Sequence, residues 1–316
     1  MADLVFAFDP AVDHPLPVPE DAAPAVADSI AGAAREALEA AVAAARTSRA
    51  AALVICGRLL DAGRASPAQA AAVRRMIADL AAVGCRTVFV ADDTAACHAL
   101  SRMLGEPVGL HFVTPQAAVE FDVRGLRVEL VSARGHAAAE PAAAAPLHRR
   151  IVLGWDTAAW QSDRWDPAPH AAAVRRPAPG GRLRLAAPHL TPATFMAAVA
   201  ASPGWSHPAT FCIWGSRRAD HLPPGLHHLP PLQARSPHEP VAGSCCGLTL
   251  FHSDAADGGA APNTDWHGSW REIPTHRIAW RTLVVESPAG GDEELATAIW
   301  SALEARPAPE HAAVEI

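Results

Sequence analysis

Polar and charged residues directly follow several short apolar runs of this chain. Asp9 follows LVFAF, Arg58 follows AALVICG, Asp92 and Asp93 follow TVFVA, and Ser216 and Arg218 fall just after TFCIWG. Carboxylates so placed can hold divalent cations or move protons, a hydroxyl can attack an electrophile, and a guanidinium can hold an anion or neutralise a carboxylate. Asp92 and Asp93 suit a paired acid and base. Neighbours in sequence need not face one site, however, and a strand-end aspartate often caps the next helix, so capping or a salt bridge is the simpler reading. Ser216 lacks the G-x-S-x-G context of a nucleophile elbow and is not expected to attack anything. His221, His227, His228 and His238, followed by Cys245 and Cys246, invite a metal site. Adjacent cysteines chelate one ion poorly and no spaced histidine pair falls on a helix, so an exposed loop is expected there instead.

The arginine pairs Arg149-Arg150, Arg175-Arg176 and Arg217-Arg218 are candidate anion patches, with solvated surface as the ordinary expectation. A net charge of −7 and a pI near 6.1 argue against a surface built mainly for nucleic acid, so any such binding would be weak or indirect. Cys56, Cys85, Cys97, Cys212, Cys245 and Cys246 show no CxxC spacing and sit mostly in apolar runs, the pattern of buried reduced thiols. Trp155, Trp160, Trp165, Trp205 and Trp214 read as packing residues. Lysine and tyrosine are absent and Asn263 is the single asparagine, a bias under which an isolated alanine or arginine says little. The N-terminal MADLVFAFDP has no basic n-region, and no apolar run reaches the roughly 20 residues of a membrane span. These features predict a cytoplasmic protein without a membrane segment.

The elements that position these residues follow from periodicity. Leu4–Phe8, Ala51–Cys56 and Thr87–Val90 read as buried strands, separated by helices over Asp28–Arg46 and from a Ser66-Pro67 start to Val83. This β-α-β-α-β order implies a parallel sheet with right-handed crossovers. His111–Thr114, Val119–Val123 and Leu126–Val131 read as short strands with a turn at Arg124-Gly125. Residues 137–147 read as a surface loop, Ile151–Leu153 as a strand and Trp155–Gly181 as irregular. A helix over Thr191–Ala201, strands at Thr210–Trp214, Leu248–His252 and Ile278–Glu286, and a helix over Glu293–Glu304 complete the chain.

In open α/β sheets, chemistry sits in loops at the carboxyl ends of strands. Here those loops read FDPAVDHPL, CGRLLD, VADD, LGWD and WGSRR. Their succession resembles the calcineurin-like metallophosphoesterases, most closely the SbcD/YhaO-type exonuclease subunits. VDHPL and ICGRLLD followed by SPAQ are similar to sequences around the first two motifs of that family. LQARSPHEPVAGSCCGLTL and REIPTHRIAW are similar to its later segments. The resemblance covers roughly residues 4–95 and 150–286 and implies a layered β-sandwich flanked by helices, with a small C-terminal β/α extension. It divides the chain into a metallophosphoesterase-like domain over residues 1–252 and, over 253–316, closing strands and a helix packed on that same domain.

The family carries two Mn²⁺ or similar ions on five strand-end motifs. Carried over residue by residue, Asp9 keeps the first aspartate, but Ala11 stands at its histidine and Arg58 at the bridging aspartate. Ala91 and Asp92 replace the asparagine and histidine of the third motif, Asp93 keeps its final aspartate, and Gly154 or Trp155 falls at the lone histidine. Ser216 and Arg218 take the two histidine positions of G-H-x-H. A guanidinium has no lone pair to give and stays positive, so Arg58 between two cations would repel them. The expectation is therefore a chain without metal cofactors, in which Arg58, with Arg218, pairs with Asp9, Asp92 or Asp93. The resemblance implies a catalytically inactive protein with a structural or regulatory role in DNA maintenance, working with an SMC-like coiled-coil ATPase of SbcC/YhaN type. The alternatives are an active phosphodiesterase or nuclease with rearranged ligands, and an anion- or protein-binding module using the vacated pocket. The sequence assigns no oligomeric state.

Overall fold

The computed structural model describes residues 1–18, 22–91, 94–133, 148–155, 191–201, 210–217, 222–235, 239, 243–252, 266–278 and 292–304. Strands β1 (Leu4–Phe8), β2 (Ala52–Cys56), β3 (Arg86–Val90) and β4 (Leu110–Val113) run parallel, linked through helices α1 (Pro24–Ser48), α2 (Pro67–Ala82) and α3 (Thr94–Leu104). Every residue of β1 and β2 is buried, as expected of continuous apolar runs in a sheet covered on both faces. A second sheet contains β5 (Val119–Val123), β6 (Leu126–Ser132), β7 (His148–Trp155), β8 (Thr210–Gly215) and β9 (Leu226–Leu229), with α4 (Pro192–Ala201) between β7 and β8. Strand β10 (Ser244–His252) extends the first sheet antiparallel to β1, and β11 (Trp266–Pro274) pairs antiparallel with β10, giving the order β11-β10-β1-β2-β3-β4. Helix α5 (Asp292–Glu304) follows.

Period-two alternation sets the layers. Leu4, Phe6 and Phe8, with Val54 and Cys56, share one core with Val128, Leu130, Ile151 and Ile213 of the second sheet. The alternate residues Val5, Ala7, Leu53 and Ile55 pack with Ala37, Leu38 and Ala41 of α1 and Val73, Ile77 and Leu80 of α2. On the outer side of the second sheet, Val152, Cys212 and Trp214 cover Phe195 and Val199 of α4. The result is the layered α/β fold that the sequence predicts, helices outside and two sheets face to face within. All six cysteines are buried and none is in a disulfide.

Local chemistry fixes the starts and turns. Ser66 Oγ accepts from the Gln69 N–H at 3.2 Å, Gln69 Oε1 accepts from the Ser66 N–H at 2.8 Å, and Pro67 opens α2. Such a cap contributes about 1 kcal/mol. Gln69 Nε2 also donates to the Val12 carbonyl at 3.3 Å, tying the helix start to the loop after β1. At the β5–β6 hairpin, Arg124 and Gly125 take φ of 52° and 80°, the left-handed pair a tight two-residue turn requires.

The elements depart from the sequence expectation in three places. Helix α3 is absent from it, although Cys97, Leu100 and Leu104 are buried at helical spacing. The proline- and histidine-rich segment contains β9 and is not simply an exposed loop. The His227 ring stacks 5.6 Å from Phe211 and lies 5.4 Å from Trp270, and His228 Nε2 lies 3.0 Å from the Ser216 carbonyl. The closing strand of the first sheet is β11, ending at Pro274, while Ile278 sits in a bend and residues 279–291 lie outside the described residues. Proline lacks the N–H to continue a ladder, so REIP closes the strand. The segments 137–147 and 156–181 also lie outside the described residues. Among those described, no helix is long and apolar enough to cross a membrane.

Candidate functional site

The loops after β1, β2, β8 and β9 converge where the two sheets meet. Phe8 bridges to Pro231 in parallel, and the Leu232 N–H donates to the Phe8 carbonyl at 3.0 Å. This brings the chain beyond β9 against the carboxyl end of β1.

Asp9 stands at that end with φ of 49°, 1% exposed, its N–H donating to the Cys56 carbonyl at 2.9 Å. The backbone beside it must be glycine. Gly57 has φ of 86°, and a Cβ there would lie 3.1 Å from the Asp9 nitrogen and 3.1 Å from the Phe8 ring. Because the two chains run this close, the next residue folds its side chain back over Asp9. Arg58 Nε donates to Oδ1 at 2.8 Å and Nη2 to Oδ2 at 2.9 Å, with the Arg58 backbone N–H 3.3 Å from Oδ1. Arg217, just past β8, donates from Nη2 to Asp9 Oδ2 at 2.9 Å and from Nη1 to Glu239 Oε1 at 2.8 Å. Glu239 Oε2 accepts from the Arg235 N–H at 2.9 Å. Arg235 closes the circuit by donating to the carbonyls of His14 and Ala11, each at 2.7 Å. Ala11 is itself buried with φ of 41°, its N–H on the Arg58 carbonyl at 2.9 Å.

Burial alone would raise the Asp9 carboxyl. The Arg58 hydrogen bond and charge, with the charges of Arg217 and Arg235, outweigh it and hold the group at about 2. Glu239 is different: burial raises its pKa, and the opposing arginines do not reverse the shift. Beside them, burial with Arg58, Arg64 and Arg235 keeps His14 below the ordinary histidine value, against the pull of Asp13.

A carboxylate offers about four lone-pair sites. Those of Asp9 meet four N–H donors, three from Arg58 and one from Arg217. The pair of divalent ions that the family resemblance implies does not fit this donor set, because Asp9 has no lone pair left and two guanidinium groups stand against it. Among the described residues, no group of three or more His, Cys, Asp and Glu is gathered as metal ligands would be.

The positions singled out in the sequence are distributed as follows. Asp9, Ala11 and Arg58 come together. Ala91 is 3% exposed at the end of β3, its N–H on the Val113 carbonyl at 2.9 Å. Trp155 is 4% exposed at the end of β7, in the core between the sheets, and Gly154 beside it leaves room for the Trp214 ring, which a Cβ would meet at 2.8 Å. Ser216 is 6% exposed and donates its backbone N–H to the Leu229 carbonyl at 3.2 Å. Asp92, Asp93 and Arg218 lie outside the described residues. From the WGSRR loop Arg217 reaches Asp9, its side chain 11% exposed, so for Arg217 the solvated-surface expectation is wrong. Arg150 departs from it too, 12% exposed and paired with Glu129 at 2.6 Å. Arg217 pairs with the buried Asp9 and Arg150 with the partly buried Glu129, which a pattern of adjacent arginines does not reveal. Sequence reasoning also missed Arg235 and Glu239, whose one signal was opposite charges four residues apart within LQARSPHE.

No protein-family model matches the chain, and no curated protein matches it. Among solved structures, TT1561 of Thermus thermophilus is similar, with 17% identity over 49% of this chain and 68% of that one and a TM-score of 0.29. A second is 9% identical over 48% of this chain and 68% of its own, with a TM-score of 0.28. Similarity at this level carries no argument about what the chain does.

Proposed function

We propose that this chain is a catalytically inactive relative of the calcineurin-like metallophosphoesterases, of SbcD/YhaO type, in which arginines stand where metal ions would be. One observation carries the reading: Arg58 and Arg217 together occupy both oxygens of Asp9. The resemblance puts Arg58 at the bridging carboxylate, the group on which a two-metal hydrolase depends to generate hydroxide and clamp phosphoryl oxygens. A guanidinium there removes that capacity and supplies the positive charge that Asp9 would otherwise take from a cation. The LQARSPHEPVAGSCCGLTL segment adds support, since it supplies Arg235 and Glu239 to the network and β10 to the sheet. By family analogy alone, the role is structural or regulatory in DNA maintenance, alongside an SMC-like coiled-coil ATPase of SbcC/YhaN type.

The test is hydrolysis of bis-p-nitrophenyl phosphate with added Mn²⁺, together with metal analysis of the purified protein. The expected result is turnover at the uncatalysed rate and no stoichiometric Mn²⁺ or Zn²⁺. Mn²⁺-dependent turnover that disappears in Asp9→Ala would replace this reading with that of an active phosphodiesterase.

A further inference from the structure

A second surface lies away from the Asp9 network, on the helical side of the first sheet. Arg74, Arg75, Ala78, Ala81 and Ala82 of α2, with Pro107 and Val108 from the α3–β4 turn, line a groove of about 530 Å³. That volume is in the range that receives large side chains or small ligands. Its apolar wall is exposed, Val108 at 86%, and Val83, next in sequence to Ala82, is 56% exposed. The two charged residues lining it are both arginines. Nothing in the proposed loss of metal chemistry uses this groove.

The chain also carries a surface of matching chemistry. In α5, Leu295, Ala298 and Ile299 form a half-buried stripe, while Glu293, Ala296, Thr297 and Trp300 are all exposed. The exposed four recur at i, i+3, i+4 and i+7 and so share one helix face. Trp300 is 66% exposed, an indole on the side opposite the stripe. The helix opens with Asp292, Glu293 and Glu294 and has no basic residue in its last turn. Aromatic anchors seated in pockets dominate binding energy where they occur, and Trp300 is exposed where it can serve as one.

We propose that the occupant is a second copy of this chain: the exposed face of α5 in one copy docks in the α2/α3–β4 groove of the next, Trp300 against Ala78, Ala82 and Val108, and Glu293 toward Arg74 and Arg75. Helix and groove are different surfaces, so the contact is head-to-tail and leaves one free helix and one free groove in every open assembly. A single helix in a groove belongs to the small, transient class of interfaces, below ~1,200 Å². Association should therefore depend on concentration and weaken with added salt as the Arg–Glu attraction is screened.

The experiment is light scattering and sedimentation of the full chain over a hundredfold range of concentration, with Trp300→Glu and Val108→Glu. Both positions are exposed, and unchanged circular dichroism checks that the variants fold. Wild type should grow beyond one copy, and each variant alone should associate at least tenfold more weakly. Mixing the two should restore a 1:1 dimer and nothing larger, since one supplies the only intact groove and the other the only intact helix. Wild type that stays a single copy throughout, variants that assemble like wild type, or a mixture that fails to pair would each overturn the proposal.

Discussion

Two ion-paired regions of this molecule use the same residue types in opposite surroundings. At the end of β1, Asp9 meets Arg58 and Arg217, and Arg217 also meets Glu239, out of water. On the β5–β6 hairpin, Glu120 meets Arg127 with side chains 38% and 62% exposed. Solvent screens the second pair and holds neither partner in place, so it contributes at most about 1 kcal/mol. The first cannot lose one member without leaving a charge buried, which costs about 3–5 kcal/mol. The contrast teaches that, for an arginine beside a carboxylate, the surroundings decide whether the pair is decoration or a structural requirement.

The sharpest way to break this comparison is Asp9→Ala, which leaves Arg58 and Arg217 facing each other without their shared anion. It should cost about 3–5 kcal/mol in urea unfolding, and a loss below about 1 kcal/mol would put the two regions on one footing. Acid gives a second handle. The folded carboxyl of Asp9 sits near 2 and an unfolded one near 3.9, so its contribution is complete above the unfolded value and disappears as pH falls through about 4 to 2. Wild type should lose about 2–3 kcal/mol from this group across that window, and Asp9→Asn should remove that part of the slope. Ser66→Ala should cost about 1 kcal/mol by thermal melting, since it removes the cap of α2 whose Gln69 also reaches Val12. Glu120→Gln should change stability least, by about 0.5 kcal/mol, and less still in high salt.

The sequence made the sheet more legible than the site. Continuous apolar runs such as LVFAF and ALVIC declare buried strands because every position faces a covering layer, and Ser66-Pro67 declares a helix start because each residue satisfies a different terminal requirement. Helix α3 was hidden by the weak signal of TAACHALSRML, where only three side chains are buried. Strand β9 was hidden by LHHL, whose His227 ring packs against Phe211 and Trp270 in place of an aliphatic side chain. At the site, Arg58 and Asp9 could be anticipated as partners because both follow neighbouring parallel strands. Arg217 could not be singled out beforehand, since the apolar run of β8 does not fix where the side chains of the residues after it go. Arg235 and Glu239 depend on a chain path beyond β9 that periodicity does not encode.

The Asp9 contacts also imply an order of assembly. Its bond to Arg58 closes a loop of 49 residues and needs only the first β-α-β unit, whereas its bond to Arg217 spans 208 residues and waits for the second sheet. Chain synthesised from the N-terminus therefore offers Asp9 a cation as soon as β2 docks beside β1, long before β8 exists. The first unit can neutralise its carboxylate without borrowing an ion from the cell, and Arg217 arrives later as the latch that joins the two sheets.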